Sequence, residues 1–170
     1  MRIQIELENG MLADKYGKYA PEEHYFEGNP TLSFPFHIAD IPAGTKTLAL
    51  TFLDWDSIPV CGFCWIHWTA CNIAANTSFV PENASLSGQI PMTQGLNSDC
   101  SSFVGNYSDP RVICRYAGPC PPDKDHRYTL TLYALDTELD LQEGFYLNEL
   151  LKAMEGHILA SAAQHVMSRA

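Results

Sequence analysis

Basic residues are scarce in this chain. Ten lysines and arginines stand against 20 aspartates and glutamates in 170 residues, a formal charge of −10, and no stretch gathers the few bases into a stripe. A nucleic-acid or anionic membrane surface is therefore disfavoured as a partner, because long-range steering repels polyanions. A single small anion in a local pocket remains allowed, since contacts within a Debye length of about 8–10 Å answer to local geometry. Long hydrophobic runs are also missing: nothing approaches the roughly 18–20 apolar residues that a membrane span needs. The N-terminus, Met1-Arg2-Ile3-Gln4-Ile5-Glu6-Leu7-Glu8, has no basic region followed by an apolar run, so no export signal is read there and a soluble, cytoplasmic chain is expected. No internal repeat or low-complexity segment occurs. Charged residues amount to 18% against 46% hydrophobic, which argues against disorder and predicts one globular domain over residues 1–170.

Helical periodicity is absent from most of the sequence. Ile3, Ile5 and Leu7 alternate with polar residues, Thr31 to Ile38 alternates again, and Lys46–Leu53, Phe63–Ile73 and Arg127–Leu135 read as strands. The stretch from Ala74 to Pro122 is rich in Asn, Ser, Gly and Pro and reads as a long functional loop region. Leu147, Leu150, Leu151 and Met154 follow helical spacing up to Gly156, and a second helical piece is expected from His157 to Ser168. Strands first and helices last predict a mostly β, antiparallel domain with a C-terminal helical segment.

Cysteine is plentiful, with Cys61, Cys64, Cys71, Cys100, Cys114 and Cys120, yet without an export signal free thiols are expected rather than disulfides. Cys61-x-x-Cys64 has the spacing of thiol oxidoreductases, so a redox or metal-binding protein is one alternative reading. Cys64 precedes a strand instead of opening a helix, and structural zinc would need two more ligands. A small hydrolase using His67 as base beside an Asp is a second alternative, although no oxyanion hole or nucleophile elbow is legible. No cofactor is expected.

Asp54 and Asp56 lie two apart at a strand end, and one strand later comes Trp65-Ile66-His67-Trp68, so carboxylate and imidazole can meet. Spacing alone also fits two aspartates closing a turn and a histidine satisfied within the core. Gly118-Pro119-Cys120-Pro121-Pro122 is stiffened by prolines just before His126-Arg127-Tyr128, which suits a preformed ligand wall. His67, His126 and the Tyr128 hydroxyl could donate to an oxyanion, with backbone N–H groups near Gly118 completing the cradle and the carboxylates keeping the imidazoles protonated.

Taken in order, Ile41-Pro42-Ala43-Gly44-Thr45-Lys46-Thr47-Leu48, Asp54-x-Asp56-x-x-Pro59, Gly62-x-x-Trp65-x-His67-Trp68 and Tyr116-x-Gly118-Pro119-Cys120-Pro121-Pro122 with His126-Arg127-Tyr128 resemble the phosphatidylethanolamine-binding protein family. The nearer likeness is to its bacterial and archaeal Raf-kinase-inhibitor-like branch. The resemblance implies a two-sheet antiparallel β-sandwich in Greek-key connection. It also implies a non-catalytic pocket, lined by Asp54, Asp56, His67, Pro121, His126 and Tyr128, that binds phosphate, acetate or a phosphorylated head group. By analogy with the family alone, it extends to regulation of a protein kinase or other protein partner through the pocket rim and to a homodimer. Residues 101–114 lie outside the resemblance.

Overall fold

The computed structural model describes residues 1–170. In chain order the elements are β1 (Arg2–Gln4), β2 (Tyr25–Phe26), β3 (Asn29–Pro30), β4 (Phe36–Ala39), β5 (Thr47–Asp54), α1 (Ile58–Cys61), β6 (Trp65–Ala74), β7 (Phe79–Val80), α2 (Ala84–Ser87), β8 (Thr93–Gln94), α3 (Pro110–Ile113), β9 (His126–Leu135), α4 (Leu147–Ala153) and β10 (Ile158–Ser168). The fold is mostly β, with every sheet antiparallel: a five-stranded sheet ordered β10-β9-β5-β6-β8, a three-stranded sheet ordered β1-β4-β7, and the β2-β3 hairpin. No helix is long and apolar enough to cross a membrane.

The sequence of β5, Thr-Leu-Ala-Leu-Thr-Phe-Leu-Asp, is apolar on both faces because the strand is central and covered twice. Leu48, Leu50 and Phe52 point into the main core, where they meet Phe36, Ile38 and Val80 from the smaller sheet. Ala49 points the other way, into a second cluster that includes Leu150 and Met154 from and just after α4. Each of these leucines is fully buried, so truncating Leu50 to Ala would cost about 2–5 kcal/mol. The neighbouring strand β9, paired with β5 and β10, behaves differently: it alternates, with His126, Tyr128, Leu130, Leu132 and Ala134 buried and Arg127 exposed, the period-two pattern of a strand with one core face.

The C-terminus departs from the sequence reading. Helix α4 forms where the periodicity places it, but Ile158–Ser168 is a strand, pairing antiparallel with β9 from Leu135 down to His126, so the chain ends on β10 and not on a second helix. Ala160-Ser161-Ala162-Ala163 suits a helix by propensity; pairing along the whole of β9 overrides it. Only Val166 and Ser168 of this strand are buried, too sparse an apolar pattern to announce a period of two. The first strand is also shorter than the Ile3–Leu7 alternation suggests, and Thr31–Phe34, read as alternating, is buried throughout.

Candidate functional site

At one end of the five-stranded sheet, the pairing of β6, β5 and β9 sets Trp65 and Tyr128 on either side of Asp54. Between Phe52 and Leu53 the β5–β6 ladder slips, passing from Trp68 directly to Ile66. His67 is thus the extra residue of a bulge, a device that re-aims a side chain at a strand end. The result is a cavity of about 330 Å³ whose wall includes Asp54, His67, Gly118, Pro121, His126 and Tyr128. That volume falls within the range of small-molecule sites.

Six of the seven residues singled out in the sequence therefore share one cavity. Asp56 does not face it. Its Oδ2 accepts the Arg127 backbone N–H at 2.9 Å, tying the loop after β5 to the start of β9. The two aspartates diverge because Asp54 closes a turn: Asp54 Oδ1 accepts the backbone N–H groups of Asp56 at 2.8 Å and Ser57 at 3.1 Å. Ser57 then knits the loop together, its Oγ accepting the Trp65 N–H at 2.9 Å.

The two histidines differ in state. His67 Nδ1 lies 2.7 Å from the Ala117 carbonyl, and burial pulls the imidazole down to about 4. The ring is neutral at neutral pH, its Nδ1–H donates to that carbonyl, and Nε2 is left as an acceptor. The expectation that carboxylates keep this ring protonated fails because desolvation outweighs them. His126 is equally hidden, at 1% exposure. Burial acts against its charge as well, but Nδ1 lies 2.7 Å from Asp54 Oδ2 and Nε2 2.9 Å from Asp123 Oδ1, and these two carboxylates raise its pKa above the ordinary value. Both N–H groups of the imidazolium are thereby in use. His126 is the only cationic side chain on the cavity wall, since no lysine or arginine lines it.

Gly118 needs a different account from the one its sequence suggests. Its N–H donates to the Pro30 carbonyl at 2.8 Å, so it offers the cavity no donor. A Cβ there would stand 2.5 Å from the Tyr16 carbonyl oxygen and 2.8 Å from Pro30 Cγ, so glycine is required for close packing of three segments. Tyr128 brings a hydroxyl to the wall: burial, then the nearby Asp54, pushes its pKa up, so it stays protonated.

The sequence reading missed Ser57, Trp65, Asp99 and Cys120 on the wall, and Asp123 behind His126. Asp123 had a signal, an acid three residues ahead of the histidine. Asp99 had none: it is held by Asn97, which is fixed in turn by the carbonyls of Val112 and Arg115. All six cysteines are free thiols. Cys61 touches the cavity, but burial pushes Cys64 up to about 11, which disfavours the thiolate that redox exchange needs. No group of three or more His, Cys, Asp or Glu side chains is arranged to hold a metal.

Comparison with known proteins agrees with this architecture. The sequence profile described as phosphatidylethanolamine-binding protein matches residues 5–168. The Bacillus subtilis protein YxkA is 58% identical, with 99% of each chain covered. A UPF0098 protein of Chlamydia muridarum is 38% identical over 88% of this chain and 90% of its own. Among solved structures, a phosphatidylethanolamine-binding protein homolog from Chlamydia trachomatis superposes with a TM-score of 0.78 at 31% identity, covering 99% of this chain and 97% of that one. Escherichia coli YbcL shares the fold, with a TM-score of 0.77 at 22% identity and coverage of 99% and 98%. With the matched profile spanning nearly the whole chain and relatives in bacteria and archaea, this chain belongs to the phosphatidylethanolamine-binding protein family.

Proposed function

We propose that the protein is a non-catalytic small-molecule-binding protein whose cavity takes an anionic group, a phosphate or phosphorylated head group, at the end formed by His126 and Tyr128. The observation that carries this reading is the buried His126, its pKa raised by two carboxylate partners, on a wall without lysine or arginine. Both of its N–H groups are already held by carboxylates, so an incoming anion gains one by replacing a carboxylate. Asp54 is fixed by two backbone N–H groups and its side chain is 5% exposed, whereas the Asp123 side chain is 50% exposed. Asp123 is the one that yields. The ligand oxygen then inherits its charge-assisted bond, and the Tyr128 O–H supplies a second donor.

Calorimetric titration of inorganic phosphate into wild type and His126→Gln, at about pH 6 and about pH 8.5, tests this. Wild type should bind more tightly at the lower pH, because the imidazolium is lost as pH rises through its raised value. The variant should bind more weakly than wild type at the lower pH by tenfold or more, the loss of a bond to a charged group. Equal affinity of both proteins at both pH values would overturn the reading.

A further inference from the structure

The end of the five-stranded sheet opposite the cavity carries a feature that ligand binding leaves unexplained. Strand β10 is the outer strand of that sheet, and its residues, Ile158–Ser168, include no proline, lysine, arginine, aspartate or glutamate. Natural sheets blunt such an edge with charges or proline, because its unpaired backbone N–H and C=O groups are a template for another strand. In this chain only the second half is covered. Gln164 Oε1 accepts the Ile5 backbone N–H at 3.0 Å, and the Met167 carbonyl accepts that of Leu12 at 2.8 Å, so the segment from Ile5 to Leu12 lies along Gln164–Met167. The first half, Ile158–Ala163, pairs with β9 on one side and with nothing on the other. It spans about 20 Å. A register shift lies between Ile158 and Ala160, after which the pairing is unbroken to Ser168. Ile158 and Leu159 are 46% and 44% exposed, so apolar surface adjoins the bare edge.

Charge selects what can lie there. Glu155 is exposed just before the bare edge, and Glu6 and Glu8 are exposed at its far end, in the segment that covers Gln164–Met167. No base answers them on the edge itself: His157 is held by Asp136 at 2.8 Å, Lys152 is on α4, and Lys46 opens β5, two strands further in. A second copy of the chain fits poorly. Antiparallel self-pairing of Ile158–Ala163 about a two-fold axis sets Ile158 opposite Ala163, which brings the Glu155 turn of each copy towards the Glu6–Glu8 segment of the other, in a chain already at −10.

We propose that the bare edge of β10 is a docking site for an extended segment of another protein, about six residues long, apolar in its middle and carrying lysine or arginine at each end. Its backbone adds a strand to the sheet, its apolar side chains cover Ile158 and Leu159, and its bases meet Glu155 at one end and Glu6 and Glu8 at the other. Leu135, opposite Ile158, lies about 30 Å along β9 from His126, so the site is separate from the cavity and does not depend on the anion reading.

The test is a nuclear magnetic resonance titration of the full chain with two end-capped peptides, Lys-Val-Thr-Val-Thr-Val-Lys and the same sequence with glutamate in place of both lysines. The lysine-ended peptide should shift the backbone amides of Ile158–Ala163 and slow exchange of those facing outward, while the glutamate-ended peptide binds about tenfold or more weakly. Added salt should narrow that gap. Leu159→Lys, which charges the edge, should weaken the lysine-ended peptide about fivefold or more, and Glu6→Gln with Glu8→Gln should weaken it without altering β10. The proposal is overturned if these amides do not respond at millimolar peptide, or if both peptides bind equally. It is also overturned if the free chain sediments as a dimer that Leu159→Lys dissociates, since the edge then belongs to a second copy.

Discussion

The β6 wall and the β9 wall of the cavity each bury a histidine, and the two differ in charge state. His67 and His126 flank the same central strand, and their rings both pack against Tyr128, with centroids 5.1 and 6.3 Å away. One meets a backbone carbonyl and is neutral; the other meets two carboxylates and is charged. Burial alone therefore does not decide the state of an imidazole; the charge of its hydrogen-bond partner does. The consequence for stability has opposite signs on the two walls. The raised pKa of His126 contributes stability that is fully present below about 6.5 and is lost as pH rises through the folded-state value. The lowered pKa of His67 does the reverse, since the unfolded chain binds its proton first and stability falls as pH drops from about 6.5 towards 4.

The largest effect is expected from breaking the charged wall. His126→Ala leaves Asp54 buried with its backbone donors but without its counter-ion, and removing one partner of a buried pair costs about 3–5 kcal/mol. The backbone bonds that remain to Asp54 place the expectation at the lower end. Urea unfolding should show this loss near neutral pH and, against wild type, a flatter decline on the alkaline side. An unchanged midpoint would mean that the ring and Asp54 are not coupled as their 2.7 Å separation indicates.

Asp99 sharpens the comparison, because its carboxyl is raised by burial as the His67 imidazole is lowered by it. A raised carboxyl favours the folded state below about 3.8, and that advantage is lost as pH rises through about 6. Over much the same range His67 runs the other way, so wild-type stability should be nearly flat there. Asp99→Asn removes one of the two opposing contributions. It should gain roughly 2–3 kcal/mol at neutral pH, a shift of about two pKa units converted at 1.4 kcal/mol per unit, and unmask a fall in stability on acidification. Thermal unfolding across pH measures both.

How much of this was legible beforehand follows from how local each signal is. The central strands were readable because a run such as Lys46–Leu53, with Leu48, Ala49, Leu50, Phe52 and Leu53 close together, has few other fates. The cavity residues were reachable through motifs: Asp54, His67, His126 and Tyr128 carry the family resemblance on separate segments, and only strand pairing brings them together. Misreadings came where the deciding contact is distant. β10 needs the full length of β9 to become a strand. Asp56 is drawn to the Arg127 backbone 71 residues away, and Gly118 is held by Tyr16 and Pro30, which nothing in its own neighbourhood shows. Protonation states were the least accessible, because His67 and His126 differ by what lies opposite each ring and not by the residues beside them in sequence.

The smallest expected effect tests which carboxylate gives way on the charged wall. Asp123 holds His126 Nε2 at 2.9 Å through a half-exposed side chain, and the histidine in turn holds the Asp123 carboxyl below its usual range. It thus plays two roles towards an anion. It helps keep the imidazole protonated, and it occupies the position that an anion oxygen would take. Asp123→Ala separates them by pH. At about pH 6 Asp54 alone keeps the ring charged, so losing the competitor should strengthen phosphate binding by about two- to fivefold, the worth of an exposed ion pair. At about pH 8.5 the variant ring loses its proton sooner than that of wild type, and phosphate should bind more weakly than to wild type. Calorimetry at the two pH values should therefore show the order of affinities crossing. Weaker binding by the variant at both would mean that Asp123 supports the site without competing for it, and that an anion reaches the cavity without displacing it.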